Sequence, residues 1–408
     1  RPPPKSTLFP YTTLFRSLET AGYKVGYTGK GWGPGDWKVS GRKRNPCGQE
    51  YNKVTWPSTP TTGMAKTDYV ANFEMFLADR DHAKPFCFWF GCQEPHRAYE
   101  QGSGLRAGKA LADVAVPSFL PDCDTVRSDL LHYLLEIEWF DQQLAGMIAV
   151  LEQNNELDNT LILVTSDNGM AFPHAKANLY EYGVHLPMAI RYPSAIAAGT
   201  RMDELISFVD LAPTLLDAAG VSAPTAMTGR SVWPWLTGDK KSPFRGHALF
   251  GRERHTHARP DNVGYPSRAI RSGPYLYIWN LKSERWPAGD PEGFYDIDGS
   301  PSKEYLLQHR QDEANAVLFN AACGLRPSEE LYDVQKDPAC LTNLAGLSDY
   351  ETIGRQLRDR LEAELRRQGD PRMDADEIFD SYPRYSPMRD DWDGFKEQGC
   401  YNPAFSKK

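Results

Sequence analysis

Residues Leu161–Lys176, LILVTSDNGMAFPHAK, constrain this chain more than any other stretch. A run of leucine and β-branched residues ends abruptly at Ser166-Asp167-Asn168-Gly169, so a buried strand is expected to deliver a carboxylate and an amide oxygen to its carboxyl end. Open α/β sheets put ligands at that end of their strands. Two hard oxygen donors side by side, followed by a glycine that lets the backbone turn, suit Ca²⁺ or Mg²⁺ better than a thiol-seeking metal. The same residues also make an ordinary Asp-Asn-Gly turn, and local pattern alone leaves both readings open.

Two more strand ends carry candidate chemistry. Tyr23–Thr28 reads as a strand running into Gly29-Lys30-Gly31-Trp32-Gly33-Pro34-Gly35, where four glycines let the backbone approach a ligand while the Lys30 ammonium points at an anion. The GxxxxGK[ST] spacing of a nucleotide P-loop is absent, and a flexible turn with a solvent lysine is the alternative. Phe86–Gly91 is nearly all apolar and short enough for a central strand. It ends in Gln93-Glu94-Pro95-His96-Arg97, where His96 beside Arg97 could serve as general acid and anion clamp, or be structural.

Between these ends lie helical patterns. Asp68–Asp79 has Tyr69, Phe73, Phe76 and Leu77 on one side. Asp129–Leu151 is the longest amphipathic stretch, with Leu130, Leu134, Ile137, Leu144, Ile148 and Leu151 on the packing face and Glu136, Glu138 and Gln142 elsewhere. Pro187–Tyr192 reads as a strand and Asp203–Gly220 as a helix. This alternation predicts an α/β domain built on a mainly parallel sheet covered by helices on both faces. The Pro/Gly/Lys/Ser-rich stretch Trp233–Gly246 marks a boundary near residue 240. Beyond it, Arg268–Trp279 reads as two antiparallel strands about Ser-Gly-Pro, Glu330–Val334 as another strand, and Tyr350–Gln368 as a helix stopped by Gly369. These predict a smaller C-terminal α+β domain on an antiparallel sheet, followed by a polar tail.

Residues 1–17 read differently. Thr-Leu-Phe occurs at 7–9 and again at 13–15, prolines crowd the start, and no helical or strand period is sustained. They read as an unrelated or erroneous leader joined to a truncated domain, with Leu18–Ala21 as the last turn of an interrupted helix.

Composition narrows the class. With 46 basic and 54 acidic residues the formal charge is −8, which argues against a nucleic-acid binder driven by phosphate neutralisation. No window approaches the roughly eighteen consecutive apolar residues of a membrane span, and no signal peptide is seen. Seven cysteines without a repeating spacing form neither a disulfide framework nor a zinc pair.

GYKVGYTGKGWGPG, EPHRAYEQGSG, SDNGMAFPHAKANLYEYGVHLPMAIRYP and FVDLAPTLLDAAGV with GRSVWPWL resemble the type I sulfatases of the alkaline-phosphatase-like superfamily. FPHAKANLYE, GRERHTHARPDN, RAIRSGPYLYIWN and ERWPAGDPE fit its heparan N-sulfatase-like branch, and the likeness runs from about Leu18 to Gly369. The resemblance implies hydrolysis of sulfate esters or sulfamates of a sulfated, glycosaminoglycan-like carbohydrate by a formylglycine nucleophile beside one Ca²⁺, in a periplasmic, secreted or lysosome-like setting. It implies that Asp167 and Asn168 are metal ligands and that Lys30, His96 and Lys176 contact the sulfate or nucleophile. Arg97, His174, His255 and His257 would lie on the substrate side, the last two equally readable as exposed loop histidines.

Two departures stand out. The Cys/Ser-x-Pro-x-Arg segment that becomes formylglycine is absent, as is the upstream acidic pair of the metal site; Cys123-Asp-Thr-Val-Arg127 has the spacing but no proline. The chain is therefore expected to be inactive as it stands. Trp32 occupies a position where many relatives carry histidine. Two alternatives remain: a phosphatase or phosphodiesterase of the same superfamily, disfavoured because those place histidine after the aspartate, and a non-catalytic carbohydrate-binding relative.

Overall fold

Strand β1, Lys24–Gly29, is the middle of a parallel sheet of order β2-β1-β3, with β2 at Gln49–Glu50 and β3 at Phe86–Gly91. The computed structural model describes residues 10–33, 37–38, 41–239, 241, 244–256, 258–259, 263–375 and 378–380. Val25 and Tyr27 of β1 pack with Leu14, Phe15 and Leu18 of helix α1, Pro10–Thr20, and with Ala212 and Leu216 of helix α6, Phe208–Ala218. A second cluster joins Phe73, Phe76 and Leu77 of α2, Tyr69–Ala78, to Met147, Val150 and Leu151 of α4, Asp124–Gln153, with Phe86, Phe88 and Phe90 of β3 against it. Helices thus cover the parallel sheet, as the period-2 and period-3.6 patterns predict.

Helix α1 differs from the sequence reading, which allowed only a last turn at Leu18–Ala21. Leu14, Phe15 and Leu18 have helical spacing and are all buried; the Thr-Leu-Phe repeat and the flanking prolines obscure it. Burying such side chains contributes roughly 1.5–3 kcal/mol each, so this helix is anchored by its packing.

The two strands expected to be fully buried are not. Every residue of β3 is half-buried except Trp89, which is 42% exposed, because β1 is its only strand partner among the described residues. Strand β4, Ile162–Thr165, is half-buried throughout and pairs with β5, Met188–Arg191, in a two-stranded sheet. The buried face of α4 is also rotated from the expected one. Leu134 is 41% exposed, whereas Glu136 and Gln143 are buried.

The chain divides into two compact units. One comprises Arg1–Glu100, Tyr133–Leu163 and Ile190–Phe244; the other comprises Gln101–His132, Val164–Ala189 and Arg245–Lys408. The second holds the antiparallel sheet β6-β7-β8-β9, at Ala248–Arg252, Ser267–Ser272, Tyr275–Asn280 and Glu329–Asp333. Ser272 pairs with Tyr275, so the β7–β8 hairpin turns at the predicted Ser-Gly-Pro. Leu357, Leu361 and Leu365 of helix α10, Glu351–Gln368, recur every four residues and pack on Ile270, Tyr277 and Leu331 of the sheet. Gly369 closes α10 with φ +70°. Helices α8, Pro301–Gln308, and α9, Glu313–Cys323, were not predicted. The shorter helices α3, α5 and α7 are Ser103–Arg106, Glu181–Val184 and Trp233–Leu236. The six described cysteines are free, and burial pushes the Cys87 thiol up to about 12, in keeping with an inert role. No described helix is long and apolar enough to cross a membrane.

Candidate functional site

Parallel pairing in the first unit sets Gly29 opposite Gly91, so Lys30 and the Cys92–Arg97 turn leave the sheet from neighbouring strands. Lys30 N donates to Gly91 O at 2.6 Å and Trp89 Nε1 donates to Lys30 O at 2.9 Å. Gly29 is needed here: its φ is +74°, and a Cβ would stand 2.1 Å from Gly91 O. Gly29→Ala is expected to cost about 2 kcal/mol in urea unfolding; an unchanged midpoint would show that the strand tips are not so tightly joined. Asn52 braces the same tip, accepting from Gly29 N at 2.7 Å and donating to Gly29 O at 3.1 Å. Trp32, where many relatives carry histidine, packs against the α1–β1–α6 cluster instead of serving as a polar group.

Glu94 holds the turn after β3. Its buried carboxylate accepts from Ala65 N at 2.6 Å, Cys92 Sγ at 2.9 Å and Tyr69 Oη at 3.0 Å. These bonds leave His96 exposed and Arg97 half-buried, the Arg97 guanidinium 4.4 Å from the Tyr99 ring centre. His96 Nδ1 lies 2.5 Å from Arg97 O. A carbonyl only accepts, so Nδ1 carries a hydrogen and Nε2 is the nitrogen left to face a ligand. A cavity of about 690 Å³ lined by Tyr23, Lys24, Glu50, Tyr51 and Asp79 lies at the opposite, Lys24 end of β1 and takes no part in this arrangement.

In the second unit Asp167 is exposed just beyond β4 and Asn168 is half-buried. Ser166 Oγ donates to Asn168 O at 2.6 Å and Asn168 Nδ2 donates to Gly169 O at 2.7 Å, which leaves the Asn168 amide oxygen available. Gly169 permits close approach, since a Cβ would stand 1.9 Å from Tyr182 O. Two adjacent oxygen donors fall short of the roughly six to eight that Ca²⁺ takes. Among the described residues no group of three or more His, Cys, Asp or Glu side chains could hold a metal ion. The described residues therefore do not make a complete calcium site.

Lys176 Nζ donates to Asp298 Oδ2 at 2.7 Å, and both side chains are largely buried. An ammonium has three hydrogens, so others can address an anionic oxygen. The backbone on either side is wound into the left-handed region at His174, φ 69°, and Ala177, φ 62°. Strain of this kind is stored where a side chain must be aimed. Sequence reading missed Asp298, which stands 122 residues away without a motif of its own.

His174 is corrected. Expected on the substrate side, it is only 1% exposed, stacked on Tyr180 with ring centres 4.2 Å apart, and its two nitrogens face Ala321 O at 3.0 Å and Ala339 O at 2.8 Å. Burial acts to lower its pKa, and the two carbonyl acceptors, which together ask for a hydrogen on each ring nitrogen, oppose it. It is a core residue that no sugar reaches. His255 keeps some exposure, with Nδ1 3.6 Å from the buried Asp296 carboxylate. His257 lies outside the described residues.

The family model for sulfatases matches residues 4–221, more than half of the chain. The chain belongs to the sulfatase family. Within this sulfatase, residues 173–303 match a second model, the N-sulphoglucosamine sulphohydrolase C-terminal domain, which supports the heparan N-sulfatase-like branch. An ulvan-active sulfatase from Formosa agariphila is 31% identical over 260 residues, covering 62% of this chain and 41% of its own length. Human N-sulphoglucosamine sulphohydrolase is 28% identical over 261 residues, 61% of this chain and 50% of that protein. The sulfatase thus spans about half the length of these relatives. A solved structure in complex with its substrate D-glucosamine-2-N,6-O-disulfate matches with TM-score 0.59 at 19% identity, covering 88% of this chain and 82% of that one. That likeness supports the alkaline-phosphatase-like fold.

Proposed function

We propose that the sulfatase chemistry of this sequence is hydrolysis of a sulfate ester or sulfamate on a glycosaminoglycan-like sugar, and that the chain as given turns over little because it carries no formylglycine segment. The observation that carries the reading is the match of residues 173–303 to the N-sulphoglucosamine sulphohydrolase model, with Lys176 held by Asp298 inside that span. Lys30 of the first unit and Lys176 of the second each carry an ammonium of the kind that neutralises sulfate oxygens and so lowers the barrier to a nucleophile reaching sulfur. His96, with Nδ1–H committed to Arg97 O, would give an Nε2 proton to the departing oxygen or nitrogen. Arg97 adds a further anion contact.

The test is sulfate release from N-sulfoglucosamine by this chain completed with a Cys/Ser-x-Pro-x-Arg segment and its acidic pair. Phosphate monoester hydrolysis with two bound zinc ions in the completed protein would reverse the assignment.

Asp167 and Asn168 supply two ligands of the Ca²⁺ that this chemistry uses. With only those two, calorimetric titration of the present chain is expected to give a Ca²⁺ Kd weaker than about 1 mM. Stoichiometric micromolar binding would show that residues of this chain complete the site.

A further inference from the structure

A second charged cluster in the antiparallel-sheet unit shares no residue with the sulfate chemistry above. Tyr265 is wholly buried, and three guanidinium groups surround its ring: Arg252 at 5.3 Å, Arg259 at 5.6 Å and Arg326 at 5.9 Å from the ring centre. Arg252 and Arg259 each commit Nη2 to the same two acceptors, Pro287 O and Asp296 Oδ2. Arg259 Nε goes to Trp286 O and Arg326 Nη2 to Asn178 Oδ1. The remaining donors are stranded. Nε and Nη1 of Arg252, Nη1 of Arg259, Nε of Arg326 and the Tyr265 hydroxyl are all shielded from solvent and have no acceptor among the described residues.

The charges do not balance either. Against three guanidinium groups stand, among the described residues, two buried carboxylates, Asp296 and Glu330, one fewer than the guanidinium groups. Glu330 is already occupied by Tyr180 Oη, Tyr332 Oη and Asn280 Nδ2. Arginine side chains only 7% and 3% exposed at Arg252 and Arg259 exclude a sugar or a nucleotide. A spherical anion accepts from several donors at once without a preferred orientation, and one negative charge closes the balance.

We propose that this cluster binds one chloride-sized halide ion, held by the free N–H groups of Arg252 and Arg259 and by the Tyr265 hydroxyl. Binding by the folded state alone raises stability with halide concentration.

The experiment is thermal unfolding of the full chain in sodium chloride and in sodium gluconate at equal ionic strength, with bromide-soaked crystals read by anomalous scattering. The melting temperature is expected to be roughly 3–8 °C higher in about 100 mM chloride, with a bromide peak beside Arg252 Nη1. Tyr265→Phe keeps the ring and removes one donor. It is expected to melt at or above the wild-type temperature in gluconate while losing chloride affinity about tenfold. Equal wild-type melting temperatures in the two salts, or no bromide at Arg252, would overturn the proposal and leave N–H contacts to the Tyr265 ring face as the whole account of the cluster. No readout depends on turnover, so failure here leaves the sulfatase reading standing.

Discussion

Sulfate release from N-sulfoglucosamine by this chain is expected to lie at least about 10⁴-fold below that of the same chain completed with a Cys/Ser-x-Pro-x-Arg segment and its acidic pair. Loss of a nucleophile from a site whose groups act together costs roughly 10⁴–10⁶ in kcat, because the remaining groups have no bond to form. On the proposed reading Lys30, His96 and Lys176 are retained, so some electrostatic assistance to attack by water persists. That assistance is small beside the missing covalent step. Ion chromatography of released sulfate at matched protein concentration measures the ratio. Comparable rates from the two proteins would mean that another side chain of this sequence attacks sulfur, and the reading of Lys30 and Lys176 as passive anion contacts would then fail as well.

The part of this arrangement that is contiguous in sequence was legible. Strand β1 with its Gly29-Lys30 exit, β3 running into Glu94–Arg97, the β7–β8 hairpin at Ser-Gly-Pro and the four-residue leucine spacing of α10 all carry local signals, and the structure has each of them. What failed to show was set by distant partners. Asp298 reaches Lys176 across 122 positions, and Asn52 and Tyr69 brace the strand tips from loop and helix positions with no motif of their own. His174 read as a substrate contact because its neighbours in FPHAKANLYE carry the family pattern. Its burial depends on Tyr180 within that stretch and on Phe119 and the Ala321 and Ala339 carbonyls far from it, which the local pattern does not specify. Glu136 falls off the leucine and isoleucine face that the periodicity of α4 marks for packing, and carboxylates are almost never buried without a partner; it is one of the exceptions.

That exception carries the second large effect. Glu136 is only 1% exposed; its Oε1 accepts a long bond of 3.4 Å from Thr61 Oγ1, and its Oε2 has no partner among the described residues. Burial first, and the charge of Glu94 second, raise its pKa to about 7 from the ordinary 4.5. The folded state therefore keeps a proton that the unfolded chain gives up between about pH 4.5 and 7, so stability of the first unit falls as pH rises through that window. That displacement corresponds to roughly 3 kcal/mol. Native-state hydrogen exchange read by segment resolves it: between pH 4.5 and 7, opening free energies for β1 and β3 amides are expected to fall by roughly 3 kcal/mol. Glu136→Gln, which keeps the shape without the titrating proton, is expected to abolish the β1–β3 slope. A β1–β3 slope that persists in Glu136→Gln would assign the effect to another group, and a flat wild-type profile would show that Glu136 ionises in the fold as readily as it does in water.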